Sequence, residues 1–475
     1  MSARVKTQVA VLGAGPAGLA AAYELAKRGI DAVVLEQQDQ VGGNAGSFDL
    51  AGLRVDFGSH RLHPASDPAV MQTVKELLGD DLLERPRHGR IRLMGRWLHF
   101  PLRAPDLALH APPRFALGVG LDLAKKVLPG KQPEEESFAT VLRAGLGGTI
   151  CDEFYFPYAR KIWGMAPGEL SPIQARKRVS SGSIGKMLKR LLPGGAGSGA
   201  ANAKGVFYYP RRGYGQISEA LGEAAVDAGA EIRLDAAVKR IALGDTTHQV
   251  ELEHESHPAT LEADHVWSTI PVTTLCRLAD PTAPEHVVAA ARSLRFRGML
   301  LIYLVLDADQ FTPFDAHYFP GADLRITRLS EPKNYAALAE PNGTTVLCAE
   351  LPCQPDDDLW RESDETLGAI VVEDLARAGL PVTCPVRETV TRRLPHAYPL
   401  YPTGYEKAFD TLDGWAEGLD RVLTFGRQGL YAHDNTHHAI YMAKAAARCL
   451  RDDGSFDQAE WARERQIFQT HVVED

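Results

Sequence analysis

Residues 8–37 read QVAVLGAGPAGLAAAYELAKRGIDAVVLEQ, and this stretch constrains the fold more than any other. Val9 to Leu12 form a short continuous apolar run of the kind found in a strand buried on both faces. Gly13, Gly15 and Gly18 follow at once as G-x-G-x-x-G. Leu19 to Lys27 reads as a helix that ends at Gly29, and residues 31–36 (DAVVLE) read as a second strand. The spacing has a physical reason. Gly13 permits a sharp turn, Gly15 lets backbone approach a pyrophosphate, and Gly18 lets the helix pack close to the sheet. The helix N-terminus then offers free N–H groups and the positive end of its dipole to the phosphates. Glu36 closes the second strand, where a carboxylate accepts hydrogen bonds from ribose hydroxyls. A glycine triplet alone is weak evidence; with strand, helix and acidic terminus all in register, it points to a dinucleotide-binding βαβ unit.

The remaining chain is long enough for more than that unit. At 475 residues it predicts two domains or one large composite. A net charge of −9 supplies no basic excess for phosphate backbones, which excludes nucleic acid as the main partner and points to a small-molecule substrate. Six cysteines lie scattered without a CxxC pair, as free thiols do in a reducing compartment. No run of 18 apolar residues occurs, so no integral membrane segment is expected. The N-terminal apolar residues already belong to the first strand, so no signal peptide is read and a cytoplasmic protein is expected. Oligomeric state is not legible.

Six residues past Glu36 comes a second glycine pair, Gly42-Gly43. This continuation resembles the flavoprotein superfamily that includes monoamine oxidases, protoporphyrinogen oxidase and UDP-galactopyranose mutase, and it implies FAD as the cofactor. The resemblance covers most of the chain. It implies an α/β fold: an FAD-binding Rossmann-type (GxGxxG) domain made of 1–75, 206–275 and 419–475, with a discontinuous α+β substrate-binding domain made of 76–205 and 276–418. Residues 294–307 (LRFRGMLLIYLVLD) read as a long strand of the second domain. Ile217 to Ala228 reads as an amphipathic helix and Glu231 to Leu234 as a strand, beside which the resemblance places the adenine, against the Val238 backbone. Residues 422–450 read as strand, glycine turn and helix. Residues 193–205 (PGGAGSGAANAKG) read as a mobile linker or a lid. The basic KMLKRLL stretch just before it, and residues 100–128, leave peripheral membrane contact open beside ordinary packing.

Three stretches resemble UDP-galactopyranose mutase more than the amine oxidases. Gly42-Gly43-Asn44-Ala45 matches its GGNA pattern, and Gly58-x-His60-x-x-His63 its GxHxxH pattern, followed by residues 92–102 (RLMGRWLHFPL). Residues 160–178 (RKIWGMAPGELSPIQARKR) match its WG segment, which carries Trp163 and ends at Arg178. Residues 426–437 (GRQGLYAHDNTH) depart from it. Tyr431 is kept, but His433 and His437 stand where the mutase has a tyrosine and its last aspartate, and this version is closer to the protoporphyrinogen-oxidase-like relatives.

These resemblances imply roles. Gly13, Gly15, Gly18, Glu36, Gly42, Gly43, Asn44, Gly58, Val238, Gly426 and Arg427 are the expected cofactor contacts. The turn at Gly426 is expected to open the final helix, facing its N-terminus toward the reduced flavin's negative charge. His63, His60 and Arg427 are the expected catalytic groups, with structural hydrogen bonding as the alternative for the two histidines. Arg178, Trp163, Tyr401 and Tyr431 are the expected substrate contacts; for the tyrosines around 401, packing at the domain interface is an equal reading. HxxH on a glycine-rich turn lacks the helical i, i+4 pairing of a zinc motif, so no metal is expected. The leading reading is hydride transfer from a small substrate, of which a sugar or nucleotide sugar is one kind, to flavin N5. Its rival is a mutase-like isomerisation in which reduced FAD is the nucleophile.

Overall fold

The computed structural model describes residues 5–102, 104–125, 135–178 and 205–473. The KMLKRLL stretch and residues 193–204 of the Gly/Ala/Ser-rich segment lie outside the described residues, as does the side chain of Arg178.

Two large sheets organise the chain. The first grows from strand Lys6–Leu12, which is flanked in parallel by Ala32–Leu35 and by the second half of His257–Ser268. Glu231–Arg233 adds in parallel beyond Ala32–Leu35, while Ala236–Ala242 and His248–His254 extend the other side as an antiparallel meander. Val422–Thr424 pairs in parallel with Val266–Ser268, so the last segment of the chain returns to the first sheet. Ala279–Asp280 lies at the edge. The central strands are apolar along their length because both faces are covered: Val9, Val11 and Val34 face helices Pro16–Ala26, Gln216–Asp227 and Thr436–Cys449, while Ala10, Leu12 and Val33 face the meander side.

The second sheet is mostly antiparallel. Its central strand is Phe296–Leu306, close to the expected 294–307, paired on one side with Val386–Pro399 and on the other with Thr345–Cys353. Arg328–Ser330, Ala316–Tyr318, Gly89–Leu93 and Arg96–Phe100 continue it outward. The RLMGRWLHF stretch is thus an edge hairpin whose two-residue turn, Met94-Gly95, has positive φ at both positions, as a tight hairpin requires. Helix Asp364–Arg377 covers the outer face. Two lysines are buried here without carboxylates: Lys161 Nζ donates to the carbonyls of Phe319, Gly321 and Ile326, and Lys333 Nζ to those of Asp309, Pro341 and Thr344. Each spends its three N–H donors on loop carbonyls, which is how a buried ammonium is kept solvated without water. Burial still lowers Lys161 to about 8.

A small helical layer, Phe138–Leu146, Phe156–Trp163 and Pro172–Arg178, has its own core around Leu142, Leu146 and Trp163. On helix Pro113–Lys125, Phe115, Val119 and Leu123 pack against that core, while Leu117 and Leu121 are exposed along with Leu109 of the preceding helix. Among the described residues no helix is long and apolar enough to cross a membrane.

Candidate active site

The first glycine motif behaves as its spacing demands. Gly13 has φ +97°, a conformation costly for other residues. A Cβ on Gly18 would sit 1.9 Å from the Gly13 carbonyl oxygen, so helix and turn meet backbone to backbone. A Cβ on Gly15 would meet no protein atom within 4 Å; it would occupy the cavity instead. Gly43 brings the second glycine pair against this point, its own Cβ position being 3.4 Å from Gly15 Cα, and the Gly42 amide donates to the Ala14 carbonyl at 2.8 Å. Glu36 closes the far side, accepting from the backbone N–H groups of Ala14 (2.8 Å) and Gln38 (3.0 Å). Burial raises its pKa, and each oxygen keeps a second lone pair for a hydroxyl.

Behind this turn runs a cavity of about 920 Å³. One end is bordered by Glu36, Val238 and Leu278, its middle by Gly15, Gly43 and Asn44, and its far end by Gly58, His60, Arg61, His63, Arg328, Tyr398 and Arg427. Val238 sits at a bulge in its strand. Asn44 Nδ2 donates to the His396 carbonyl at 3.0 Å, and Gln428 Nε2 donates to the same oxygen at 2.7 Å. One carbonyl of strand Val386–Pro399 therefore pins both the GGNA turn and the C-terminal turn.

That C-terminal turn differs from expectation. Gly426–Gly429 is a single helical turn, and the long helix starts separately at Thr436, capped by Asn435. Tyr431, at φ +48°, breaks the two apart. The cavity is bordered by both pieces, Arg427 and Gln428 from the first and Asp434 to Thr436 from the second. Gly426 has φ +79°, and a Cβ there would lie 2.9 Å from Ala17 Cβ, so the turn rests directly on the first helix. Arg427 is held by the carbonyls of Asp434 and Ala397, each at 2.8 Å, with its guanidinium 5.3 Å from the Tyr398 ring centre.

The two histidines have separate surroundings. His60 stacks on Tyr214 (centroids 5.1 Å apart), and its Nδ1 is buried without a hydrogen-bond partner among the described residues. Burial, reinforced by Arg328 and Arg427, lowers its pKa to about 3, so the ring is neutral at pH 7. His63 borders the cavity nearer its rim, with Nδ1 accepting the Ala65 N–H at 3.1 Å.

Several residues at this end were not anticipated. Arg328 meets Glu350 at 2.8 Å; burial opposes its charge, but Glu350 together with Tyr318, Tyr398 and Tyr158 outweighs burial and keeps the guanidinium protonated. Glu350 also accepts the Ser59 N–H at 2.9 Å, and a Cβ on Gly58 (φ +96°) would lie 3.4 Å from the same carboxylate. Arg61 pairs with Asp315 at 3.3 Å and donates to Tyr318 and Tyr335. Arg328 and Glu350 come from neighbouring strands of the second sheet, and only their register, Arg328 opposite Glu350, brings them together.

The expected aromatic contacts lie one layer back. Trp163, Tyr401 and Tyr431 are buried and do not border the cavity. Tyr431 Oη donates to the carbonyls of Arg295 and Leu400, and Tyr401 Oη donates to the Tyr431 carbonyl at 2.7 Å. Trp163 packs edge-on against Tyr398 and His433. Of the YPLY run it is Tyr398, not Tyr401, that reaches the cavity, beside Phe57, Tyr214 and Tyr318.

Among the described residues one trio has metal-ligating composition: Asp434, His438 and His471, with ligand atoms within 4.8 Å of one another. Neither His60 nor His63 belongs to it. His438 Nδ1 already accepts the Asn435 N–H at 3.2 Å, and Lys177 acts on the same carboxylate.

A long cavity threaded past two glycine turns, an acidic strand end, polar atoms at His60 Nδ1 and Gln428 Oε1 without a partner among the described residues, and a helix N-terminus at the far end fit a bound dinucleotide with a ring system. The fold and this site define a flavin-dependent enzyme. Residues 16–449 match the family described as flavin containing amine oxidoreductase, and the chain belongs to that family, with FAD as its cofactor. A Mycobacterium tuberculosis protein named as a flavin-containing monoamine oxidase is 30% identical over 245 residues, 49% of this chain and 51% of that protein. The match thus spans about half the length of this curated relative. A crystal structure of reduced UDP-galactopyranose mutase shares the fold at TM-score 0.80 with 19% identity, covering 98% of this chain and all of that one. The structure of an Exiguobacterium protein titled a protoporphyrinogen oxidase shares it at 0.70, again with 19% identity, covering 94% of this chain and 98% of that one.

Proposed function

We propose that this protein is an FAD-dependent oxidoreductase whose substrate is an anionic small molecule, a nucleotide sugar being the kind weighed from its motifs. The observation that carries the substrate class is the charge at the far end of the cavity. Arg61, Arg328, Arg392 and Arg427 border it, the imidazole of His60 is neutral, and Glu350 is already committed to Arg328 and the Ser59 amide. Arginines outnumber the carboxylates there, Glu350 and Asp434, so a cationic amine would meet mostly like charge, whereas a carboxylate or phosphate meets planar bidentate donors.

In this reading residues 1–75, 206–275 and 419–475 hold the cofactor, and 76–205 with 276–418 hold the substrate. Gly13, Gly15, Gly18, Gly42, Gly43 and Asn44 seat the pyrophosphate, Glu36 the ribose, and the Val238 backbone the adenine. Gly58 clears space beside the ring, and Gly426 with Arg427 borders its pyrimidine edge. When bound, FAD supplies a two-electron acceptor or, in reduced form, a nucleophile. Arg328 and Arg427 orient the anion. His63 moves a proton at the substrate, and His60, held neutral, accepts a hydrogen bond through Nδ1.

Anaerobic addition of candidate substrates to the yellow protein tests this. Anionic compounds should bleach the flavin band, and free amines should leave it unchanged; bleaching by an amine alone would overturn the substrate class. The mutase reading is favoured by GGNA and GSHRLH. It would show as conversion of UDP-galactopyranose only after dithionite reduction, with flavin absorbance steady through turnover.

A further inference from the structure

A second cavity, about 680 Å³, lies on the outside of the site and shares Arg277, Pro395 and His396 with the cofactor cavity. Three arginines line it from three directions. Arg277 comes from helix Val272–Leu278, Arg292 from helix Glu285–Ser293, and Arg295 from the extended link into strand Phe296–Leu306. Arg295 is fixed from below, because its carbonyl receives the Tyr431 hydroxyl and the Leu400 N–H. The apolar floor includes Val288, Ala291 and Phe296, and Thr273 and Thr282 add hydroxyls.

What sets this group apart is that three exposed arginines without a carboxylate partner among the described residues share one cavity. Carboxylates outnumber Lys and Arg in the chain by 61 to 52, and most of its arginines have found one: Arg240 meets Glu251 and Asp280, Arg325 meets Glu373 and Asp374, Arg465 meets Asp413 and Glu417. Among the described residues Arg277, Arg292 and Arg295 form no ion pair, although Asp356 borders the same cavity; Arg277 donates only to Thr274 Oγ1, at 2.9 Å. Uncompensated guanidinium groups around a concave apolar floor repel one another unless an anion joins them, and a tetrahedral dianion with several acceptor oxygens satisfies three forks at once.

We propose that this cavity binds a phosphate-bearing small molecule beside the adenosine half of the cofactor site. The test is calorimetric titration of the FAD-loaded protein with pyrophosphate, whose linked phosphates are each tetrahedral, with succinate as a planar-carboxylate control. Saturable binding of one pyrophosphate per chain is expected, weakened at least tenfold in R292A/R295A, largely kept in R292K/R295K, and absent for succinate, with FAD content unchanged throughout. If the alanine pair loses FAD, the single variants R292A and R295A are read in its place. The proposal is overturned by absence of saturable binding, by binding that survives loss of both arginines, by succinate binding equally, or by binding that occurs only after FAD is removed, which would locate the anion in the cofactor cavity.

Discussion

The two ends of the long cavity are built from different parts of the chain. Around Gly15 the work is done by backbone: turns at Gly13 and Gly42, close approach at Gly18, and amides at a helix start. Around His60 it is done by side chains delivered from distant parts of the chain, Arg61, Arg328, Glu350, Tyr398 and Arg427. The first kind of site tolerates no added atom, while the second is sensitive to removal of a charge. Substitutions at the two ends should therefore fail in different ways.

The largest effect is expected at Gly18. A methyl there would stand 1.9 Å from the Gly13 oxygen, a contact that only movement of helix or turn relieves. Gly18→Ala should yield protein that purifies colourless, with stability lowered by roughly 1–3 kcal/mol or more from overpacking; retained stoichiometric FAD would show that the backbone-recognition end is more plastic than described. Next comes Arg328→Ala, which leaves Glu350 buried without its counter-ion. A stability loss of about 3–5 kcal/mol is expected, with FAD retained at low temperature and turnover reduced at least a hundredfold. Arg328→Lys restoring full turnover would remove the argument for a planar fork.

A titration links the ends. Asp56 is buried and accepts hydrogen bonds from Ser47 Oγ (2.7 Å), Tyr209 Oη (2.7 Å) and the Tyr214 amide (2.8 Å), joining the first block of the chain to the second. Burial raises its pKa to about 6. The folded state thus holds this proton more tightly than the unfolded chain, near 3.9, so stability should fall by about 3 kcal/mol as pH rises from about 4 to about 6 and stay level above. Melting temperature against pH should show that decline in the native protein and lose it in Asp56→Asn. His63→Ala should lower turnover about 10²-fold with FAD content unchanged, as loss of a general acid–base group does; unchanged turnover would leave His63 as a structural hydrogen bonder. The smallest effect belongs to Tyr431→Phe. Its hydroxyl serves two carbonyls in the wall, so a stability loss near 1 kcal/mol with KM unchanged is expected; a raised KM would return Tyr431 to the substrate.

The same contrast explains what was readable beforehand. The cofactor end lies in contiguous runs whose glycine spacing is dictated by backbone sterics, so Gly13, Gly15, Gly18, Gly42 and Gly43 announce themselves. The central strand at 296–306 was legible because it is apolar on both faces. Arg328 and Glu350 were not, since 22 residues and a strand register separate them. Arg61 lies inside the GSHRLH run, but nothing in that run signals its pairing with Asp315 from a distant part of the chain. Tyr401 and Tyr431 stand behind the lining, and an aromatic cluster beside a glycine turn reads the same in sequence whether it faces a ligand or forms the wall behind it. The break between the Gly426 turn and the helix at Thr436 depends on a single left-handed residue, Tyr431, which no periodicity signals.

Strand Val422–Thr424 adds to the sheet begun by Lys6–Leu12, and the helix starting at Thr436 borders a cavity whose first wall is the Gly15 turn. A chain emerging from the ribosome therefore carries its glycine turn long before its pocket can be finished. Strand Lys6–Leu12 keeps one edge open until His257–Ser268 has been made. The cavity can close around a cofactor only once these late residues have joined the early ones.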